Sequence, residues 1–514
     1  MPDFRFDNSF ARELPAFFTR WQPAPAPAPR LLYGNTALAE QLGLGAAAVQ
    51  GDAAAARWSG NALPAGADPL AQAYAGHQFG HFSPRLGDGR ALLLGEQIDP
   101  QGRRWDIAFK GSGRTPYSRG GDGKAAVGPM LREVLIGEAM HALGVPSTRA
   151  LAVVATGDTV MRDRPLPGAV LTRVAASHLR VGSFQYAATQ GTLDDLRRLA
   201  DHAIARHDPA LAGTPGPYAA LLAAVAGRQA RLIAQWMNLG FIHGVMNTDN
   251  MTLSGETIDY GPCAFLEAYD PATVFSSIDP GGRYAYAKQP QIARWNLARL
   301  AECLLPLIAE DPDDEASRQR AVDTVMAVID GFPAVYGQAL LRGQRAKLGL
   351  GSHADSSQDD AIDTALAGDW LALLAQQRAD FTGAWRRLVD AAEGDANPLR
   401  ALLADPAALD PWLARWQQRC RQDDARTGAS PAADVSADCA ARAQRLRAAN
   451  PWLIPRNHRV EEALAAASDH DDLRPFQRLL AALQQPFDEQ PALADLAQPA
   501  PPQVTAGYQT FCGT

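Results

Sequence analysis

The chain has 514 residues, 47% of them hydrophobic, and a formal net charge of −8. That is long enough for more than one average domain and apolar enough for a large core. The negative balance removes any general electrostatic drive toward nucleic acid or an anionic membrane, so phosphate binding has to come from local clusters of Arg and Lys.

Residues 22–30, Gln-Pro-Ala-Pro-Ala-Pro-Ala-Pro-Arg, predict an extended polyproline-like strap rather than a folded element. A Gly- and turn-rich segment follows. Strands are then predicted at 91–97 and 105–110, joined by a turn at 99–102. Residues 129–143 predict a helix, with Pro129 suited to its first turn, Gly144 to its C-terminal cap, and Pro146 barring continuation. Further strands are expected at 150–155, 159–162 and 169–174. After residue 190 the spacing becomes helical, at 193–207, 218–239 and 293–308. The remainder to about 485 reads as helices with a loop at 425–436, and 486–503 as a Pro- and Ala-rich surface tail. The five cysteines, Cys263, Cys303, Cys420, Cys439 and Cys512, include no CxxC pair, which argues against structural zinc and a disulfide framework. The N-terminus has no apolar signal region and no stretch approaches a membrane span, so the expected location is cytoplasmic.

The chemistry-bearing residues lie in three short pieces. Residues 243–250 are His-Gly-Val-Met-Asn-Thr-Asp-Asn, and Asp259-Tyr260-Gly261 follows. A protein-kinase catalytic loop runs His-Arg-Asp, four residues, Asn, with a later Asp-Phe-Gly that supplies a metal-binding carboxylate. Aligned on His243 and Asn250, the slot of the kinase base holds Val245, which cannot take a proton. The metal-holding pair, Asn250 and Asp259, survives. Lys110 ends a predicted strand and Glu133 lies on the following helix, the order in which a strand lysine is oriented by a helix carboxylate toward phosphate. Glu138, on another helical face, is the rival partner.

Gly87-Asp88-Gly89-Arg90 offers backbone N–H groups and a charge to a phosphate, although Leu92 stands where a full glycine fingerprint has its third Gly. Residues 111–124 hold five glycines and three basic side chains, with no apolar periodicity, as suits a loop closing over a polyphosphate. Arg173 and Arg180, seven apart, are expected on one face of a helix, where two guanidinium groups could clamp phosphoryl oxygens; a plain surface pair fits the spacing as well. His77 and His81 have the i, i+4 spacing of a zinc pair, but Gly76 and Gly80 discourage a helix and no Glu follows His77, so both read as structural.

The segments Tyr74-Ala-Gly-His-Gln-Phe-Gly80, Phe109-Lys-Gly-Ser-Gly-Arg-Thr-Pro-Tyr-Ser-Arg119, His243 to Met251 and Asp259-Tyr-Gly-Pro262 closely resemble the SelO (selenoprotein O) protein adenylyltransferases. The resemblance extends to Trp295-Asn-Leu-Ala-Arg-Leu-Ala-Glu302 and Asn450-Pro-Trp-Leu-Ile-Pro-Arg-Asn-His458, and so spans most of the chain. It implies an α+β, protein-kinase-like bilobal fold: an N-terminal extension at 1–64, a small β-rich lobe at 65–185, a large helical lobe at 186–400, and a helical C-terminal extension at 401–514. It implies ATP bound in a flipped orientation, with AMP transferred to Ser, Thr or Tyr hydroxyls of proteins. Lys110 and Glu133 then form the phosphate-orienting ion pair. Gly87, Gly89, Arg90, Asp122, Gly123, Arg173 and Arg180 contact the nucleotide, Asn250 and Asp259 hold magnesium or manganese, and Asp249 stands in for the missing base. A loop carboxylate one residue from a metal ligand is well placed to accept a hydroxyl proton. Cys512 occupies the position of the family's selenocysteine, where a redox role and an inert tail cysteine both fit. Two other readings remain: a small-molecule kinase with ATP in the ordinary orientation, against which Val245 speaks, and a non-catalytic nucleotide-binding scaffold, against which the joint retention of Lys110, Asp249, Asn250 and Asp259 speaks.

Overall fold

The computed structural model describes residues 2–351, 357–426, 435–505 and 507–511. The chain is α+β, with a β-sheet region in its first third and a large helical region after it. The main sheet is antiparallel and ordered Phe18–Arg20, Leu70–Gln72, Ala91–Ile98, Arg104–Lys110, Pro165–Ala175, Arg149–Met161, Arg30–Gly34, with Ala125–Ala126 added beside Pro165–Ala175. Ala91 pairs with Lys110 and Leu171 with Lys110, which fixes the lysine at the end of a central strand. A bulge at Leu93/Gly95 bends the first of these strands. Gly95 has φ +150°, and a Cβ there would lie 2.4 Å from Asn8 Oδ1, so the N-terminal segment crosses the sheet at a point only glycine allows.

Most sequence-predicted elements appear close to their expected bounds. The strap at 22–29 has no regular structure, and Leu193–His207, Pro217–Leu239 and Gln289–Ile308 are helices. The two strands expected at 150–155 and 159–162 are one continuous strand, Arg149–Met161, because its neighbour Pro165–Ala175 supplies partners along the whole length. The expected loop at 425–436 falls largely on 427–434, outside the described residues, as does Cys512. The expected surface tail contains short helical turns at Pro491–Leu493 and Ala494–Ala497, with Leu496 buried.

One helix departs from the expectation that no stretch approaches a membrane span. Glu315–Lys347 runs 33 residues and contains a window of mean hydropathy 1.3, long and apolar enough to cross a bilayer. Its Val325, Ile329 and Phe332 are buried in the main core, and it packs along Pro217–Leu239.

The Val127–Ala142 helix begins directly after Ala125–Ala126 and is buried along nearly its whole length. Leu143 caps it, and Gly144 at φ +78° turns the chain away. It packs against the strands Arg149–Met161 and Pro165–Ala175, and its Leu131, Val134 and Leu135 belong to the main core. Its other side is covered from far along the chain, by the Asn457–His470 and Arg474–Leu483 helices. A second core gathers Trp370, Trp385, Trp412 and Trp416 among the later helices.

Pro217–Leu239 ends at Gly240 in the left-handed conformation, and the chain enters the two-residue strand Phe241–Ile242, which pairs with Ala264–Phe265. Residues 243–263 lie between these strands. The small ladder therefore presents residues 243–250 and Asp259 together, facing the sheet and the Val127–Ala142 helix.

Candidate functional site

A cleft of about 910 Å³ is lined by all the residues expected to contact nucleotide, hold metal or take the proton: Gly87, Gly89, Arg90, Lys110, Asp122, Gly123, Glu133, Arg173, Arg180, Asp249, Asn250 and Asp259. Val245 lines it too, where a kinase carries its base.

The electrostatic centre is Asp259. Lys110 Nζ lies 2.5 Å from its Oδ1 and 2.6 Å from Glu133 Oε1, so the lysine is shared between the helix carboxylate and the Asp-Tyr-Gly carboxylate. Arg173 Nη1 reaches Asp259 Oδ1 at 2.7 Å, and Arg180 Nη1 reaches Oδ2 at 3.5 Å. Burial pushes the carboxyl toward its neutral form, but Lys110, Arg173 and Arg180 outweigh it and hold Asp259 well below the usual carboxylate range. Asp259 has φ +63°, a left-handed conformation that Asp tolerates better than most side chains. Glu138, the rival for Lys110, is occupied by Arg149 through two bonds of 2.6 Å, which settles Glu133 as the lysine's helix partner.

Arg173 and Arg180 do meet, though not on one helix. Arg173 sits in the strand Pro165–Ala175, and Arg180 is the N-cap of the Val181–Gln190 helix. The turn between them brings both side chains to Asp259. Both are almost fully buried, so the cleft holds three desolvated cations around one carboxylate. Arg180 also donates to Asp249 O at 2.8 Å and lies 4.6 Å over the Tyr74 ring.

Asp249 lies in the turn Thr248–Asn250 and is buried. Burial pushes its carboxyl up to about 6, against the opposing pull of Arg180 and a hydrogen bond from Gln78 Nε2 at 3.3 Å. Its Oδ1 has no hydrogen-bond partner. A buried carboxylate at the cleft wall with one oxygen oriented and the other unpaired has the form of a proton acceptor. Asn250 spends its amide nitrogen on Val245 O at 3.0 Å, so its carbonyl oxygen is the group it can offer a cation.

The glycine-rich segments pack on each other. A Cβ on Gly87 would lie 2.4 Å from the Tyr117 ring, and one on Gly123, at φ +68°, would lie 2.1 Å from Gly113 O. Thr115 Oγ1 donates to Asp88 O at 2.6 Å and ties the two loops together. Arg90 Nη1 is buried without a partner, and so is Arg180 Nε. Unpaired guanidinium donors in a cleft call for an anion. Asp122 stands at the rim, paired with Arg162 at 2.9 Å.

Sequence reading missed the hairpin Gly76–Gln78/His81–Ser83, which clamps the 243–250 loop. His77 N donates to Thr248 Oγ1 at 2.7 Å, Phe79 N donates to Asn247 Oδ1 at 3.1 Å, and Gln78 reaches Asp249. Phe79 and Gly80 both have positive φ, the conformation of a tight two-residue hairpin turn, and only Gly80 marks that turn in the sequence. His77 Nδ1 lies 2.6 Å from Gln185 Nε2, and His81 is exposed at the hairpin's second strand.

Buried cations around a carboxylate, beside a second, buried carboxylate in the cleft wall, suit the handling of phosphate. The sequence profile described as "Protein adenylyltransferase SelO" matches residues 2–484. The chain is 57% identical to "Protein nucleotidyltransferase YdiU" of Cereibacter sphaeroides, over 99% of this chain and 100% of the relative. It is 57% identical to the protein of that name from Chromobacterium violaceum, over 98% and 100%, and 53% identical to that from Methylorubrum extorquens, over 99% and 99%. The chain belongs to the SelO protein adenylyltransferase family and is an enzyme of the nucleotidyltransferase class.

Proposed function

We propose that the cleft binds ATP with its terminal phosphates inward and transfers AMP to Ser, Thr or Tyr hydroxyls of other proteins. The observation that carries this reading is the convergence of three buried cations, Lys110, Arg173 and Arg180, on the Asp259 carboxylate, beside a cleft whose kinase base position holds Val245. A triphosphate carries about four negative charges, and burying its end demands several cations at that depth. In this reading residues 65–185 and 186–400 are the small and large lobes of a kinase-like fold, with 1–64 and 401–514 as extensions, acting in the cytoplasm.

The step balances as follows. The hydroxyl oxygen bonds to the α-phosphorus, the bond from that phosphorus to the α–β bridging oxygen breaks, and diphosphate leaves. The hydroxyl proton passes to Asp249. Lys110, held by Glu133, and the two arginines neutralise the departing diphosphate. Gly87, Gly89 and Gly123, with Arg90 and Asp122 nearby, shape the nucleotide's bed.

Among the described residues no group of three or more His, Cys, Asp or Glu side chains could hold a metal. Magnesium on a polyphosphate asks the protein for only one or two oxygens, and the Asp259 carboxylate and the Asn250 amide oxygen are hard donors of that kind. Magnesium or manganese held there supplies further positive charge to the phosphates. The test is incubation with an acceptor protein and ATP labelled at the α- or the γ-phosphate. Covalent attachment of the α label supports adenylyl transfer, and attachment of the γ label overturns it in favour of kinase chemistry.

A further inference from the structure

Arg173 is gripped at two points. Its Nη1 reaches Asp259, and its Nε donates to His178 Nε2 at 3.2 Å. An imidazole nitrogen accepts only when its proton is on the other nitrogen. His178 Nδ1 lies 3.0 Å from Asp106 Oδ2, and the same oxygen accepts the His178 backbone N–H at 2.8 Å. Asp106 lies in the Lys110 strand, and its second oxygen is held by Arg206 Nη2 at 2.7 Å. All three side chains, Asp106, His178 and Arg173, are buried. Burial lowers the imidazole to about 4, which keeps the ring neutral through ordinary working pH.

We propose that His178 is a positioning residue for phosphate binding: Asp106 selects its Nδ1–H tautomer, and the free Nε2 fixes the plane of the Arg173 guanidinium so that its remaining N–H groups face the cleft. This rests on the reading that Arg173 takes the terminal phosphates. A guanidinium has five donors in a rigid fork, and orienting one edge orients the rest. Without His178 the side chain keeps its charge and its pairing with Asp259 but loses the second point that defines a plane. The arrangement also ties phosphate grip to the strand that carries Lys110, so both cations are referenced to one rigid element.

The test is a double-mutant cycle on ATP affinity, measured by calorimetry on the full chain with magnesium. His178→Asn keeps a donor for Asp106 but is too short to reach Arg173, and His178→Phe keeps the ring's bulk and loses both bonds; either one reports if the other fails to fold. His178→Gln carries an amide oxygen near the Nε2 position. The expected result is a roughly tenfold loss of ATP affinity in His178→Asn or His178→Phe. His178→Gln should recover most of it, and the same substitutions should change affinity by less than about twofold in an Arg173→Ala background. An equal loss in both backgrounds, or no loss in the first, overturns the positioning role. If Arg173→Ala itself binds ATP like the parent protein, the phosphate reading of Arg173 fails and the inference falls with it.

Discussion

Asp259→Ala exposes the electrostatic design of the cleft without any nucleotide present. In the parent protein Lys110, Arg173 and Arg180 stand 2.5, 2.7 and 3.5 Å from that carboxylate. Removing one partner of a buried ion pair costs about 3–5 kcal/mol, because the remaining charge stays desolvated and uncompensated. The Asp259 side chain is 22% exposed, and Glu133 still pairs with Lys110. Both facts place the expected loss at the low end, about 3 kcal/mol, with the fold retained. Urea unfolding at neutral pH measures it. The pH dependence has a definite sign. Asp259 titrates below its ordinary value of 3.8 in the folded chain, so its stabilisation is complete above that value and fades as pH falls below it. The gap between parent and variant should therefore close in acid. Inorganic triphosphate in the presence of a chelator should raise the variant's midpoint more than the parent's, since Asp259 competes with phosphate for the same three cations. A variant within about 0.5 kcal/mol of the parent at neutral pH, below any buried-pair magnitude, refutes the argument that these cations depend on Asp259.

Asp249→Asn should lower turnover by about 10²–10⁴-fold with little change in ATP affinity, measured by initial rates and calorimetry. Because burial lifts the Asp249 carboxyl to about 6, activity of the parent should rise with pH through that region, and the limb should vanish in the residual activity of the variant. Arg180→Ala should weaken ATP more than AMP, by roughly tenfold or more for a charge-assisted contact; equal weakening of both counts against inward terminal phosphates. Gly123→Ala drives a Cβ to within 2.1 Å of Gly113 O at a positive φ, and should lower both stability and nucleotide affinity, read by thermal unfolding and calorimetry.

Lys110, Glu133, Asn250 and Asp259 were legible because each sits in a short local signature: a strand end, a helix after a glycine loop, and a loop bounded by His243 and Asp259. The relation of Arg173 to Arg180 was not, because spacing alone assumes one element, and the structure puts a strand end and a helix cap there instead. The hairpin at Gly76–Ser83 was missed for another reason. Its anchors, Thr248 and Asn247, lie about 170 residues away, and nothing local marks His77 or Phe79 as their partners. Glu133 was preferred to Glu138 on the family resemblance, while the Arg149 pairing that occupies Glu138 has no mark in the sequence. The sheet before residue 91 was hidden because its strands are three to five residues long, too short for an alternation to register.

The cover that Asn457–His470 and Arg474–Leu483 place over the Val127–Ala142 helix sets an order on biosynthesis. The helix that carries Glu133 leaves the ribosome early, yet the surface that shields it is among the last to be made. Until then its apolar flank faces water, and the lysine's partner is mounted on an element that lacks half its packing. A nascent or truncated chain that stops short of these helices carries Lys110, Glu133, Asp249, Asn250 and Asp259 but lacks the cover on the helix that bears Glu133. Removing both helices should therefore loosen the Val127–Ala142 helix and the Lys110–Glu133 pair it carries, which amide hydrogen exchange across residues 127–142 measures.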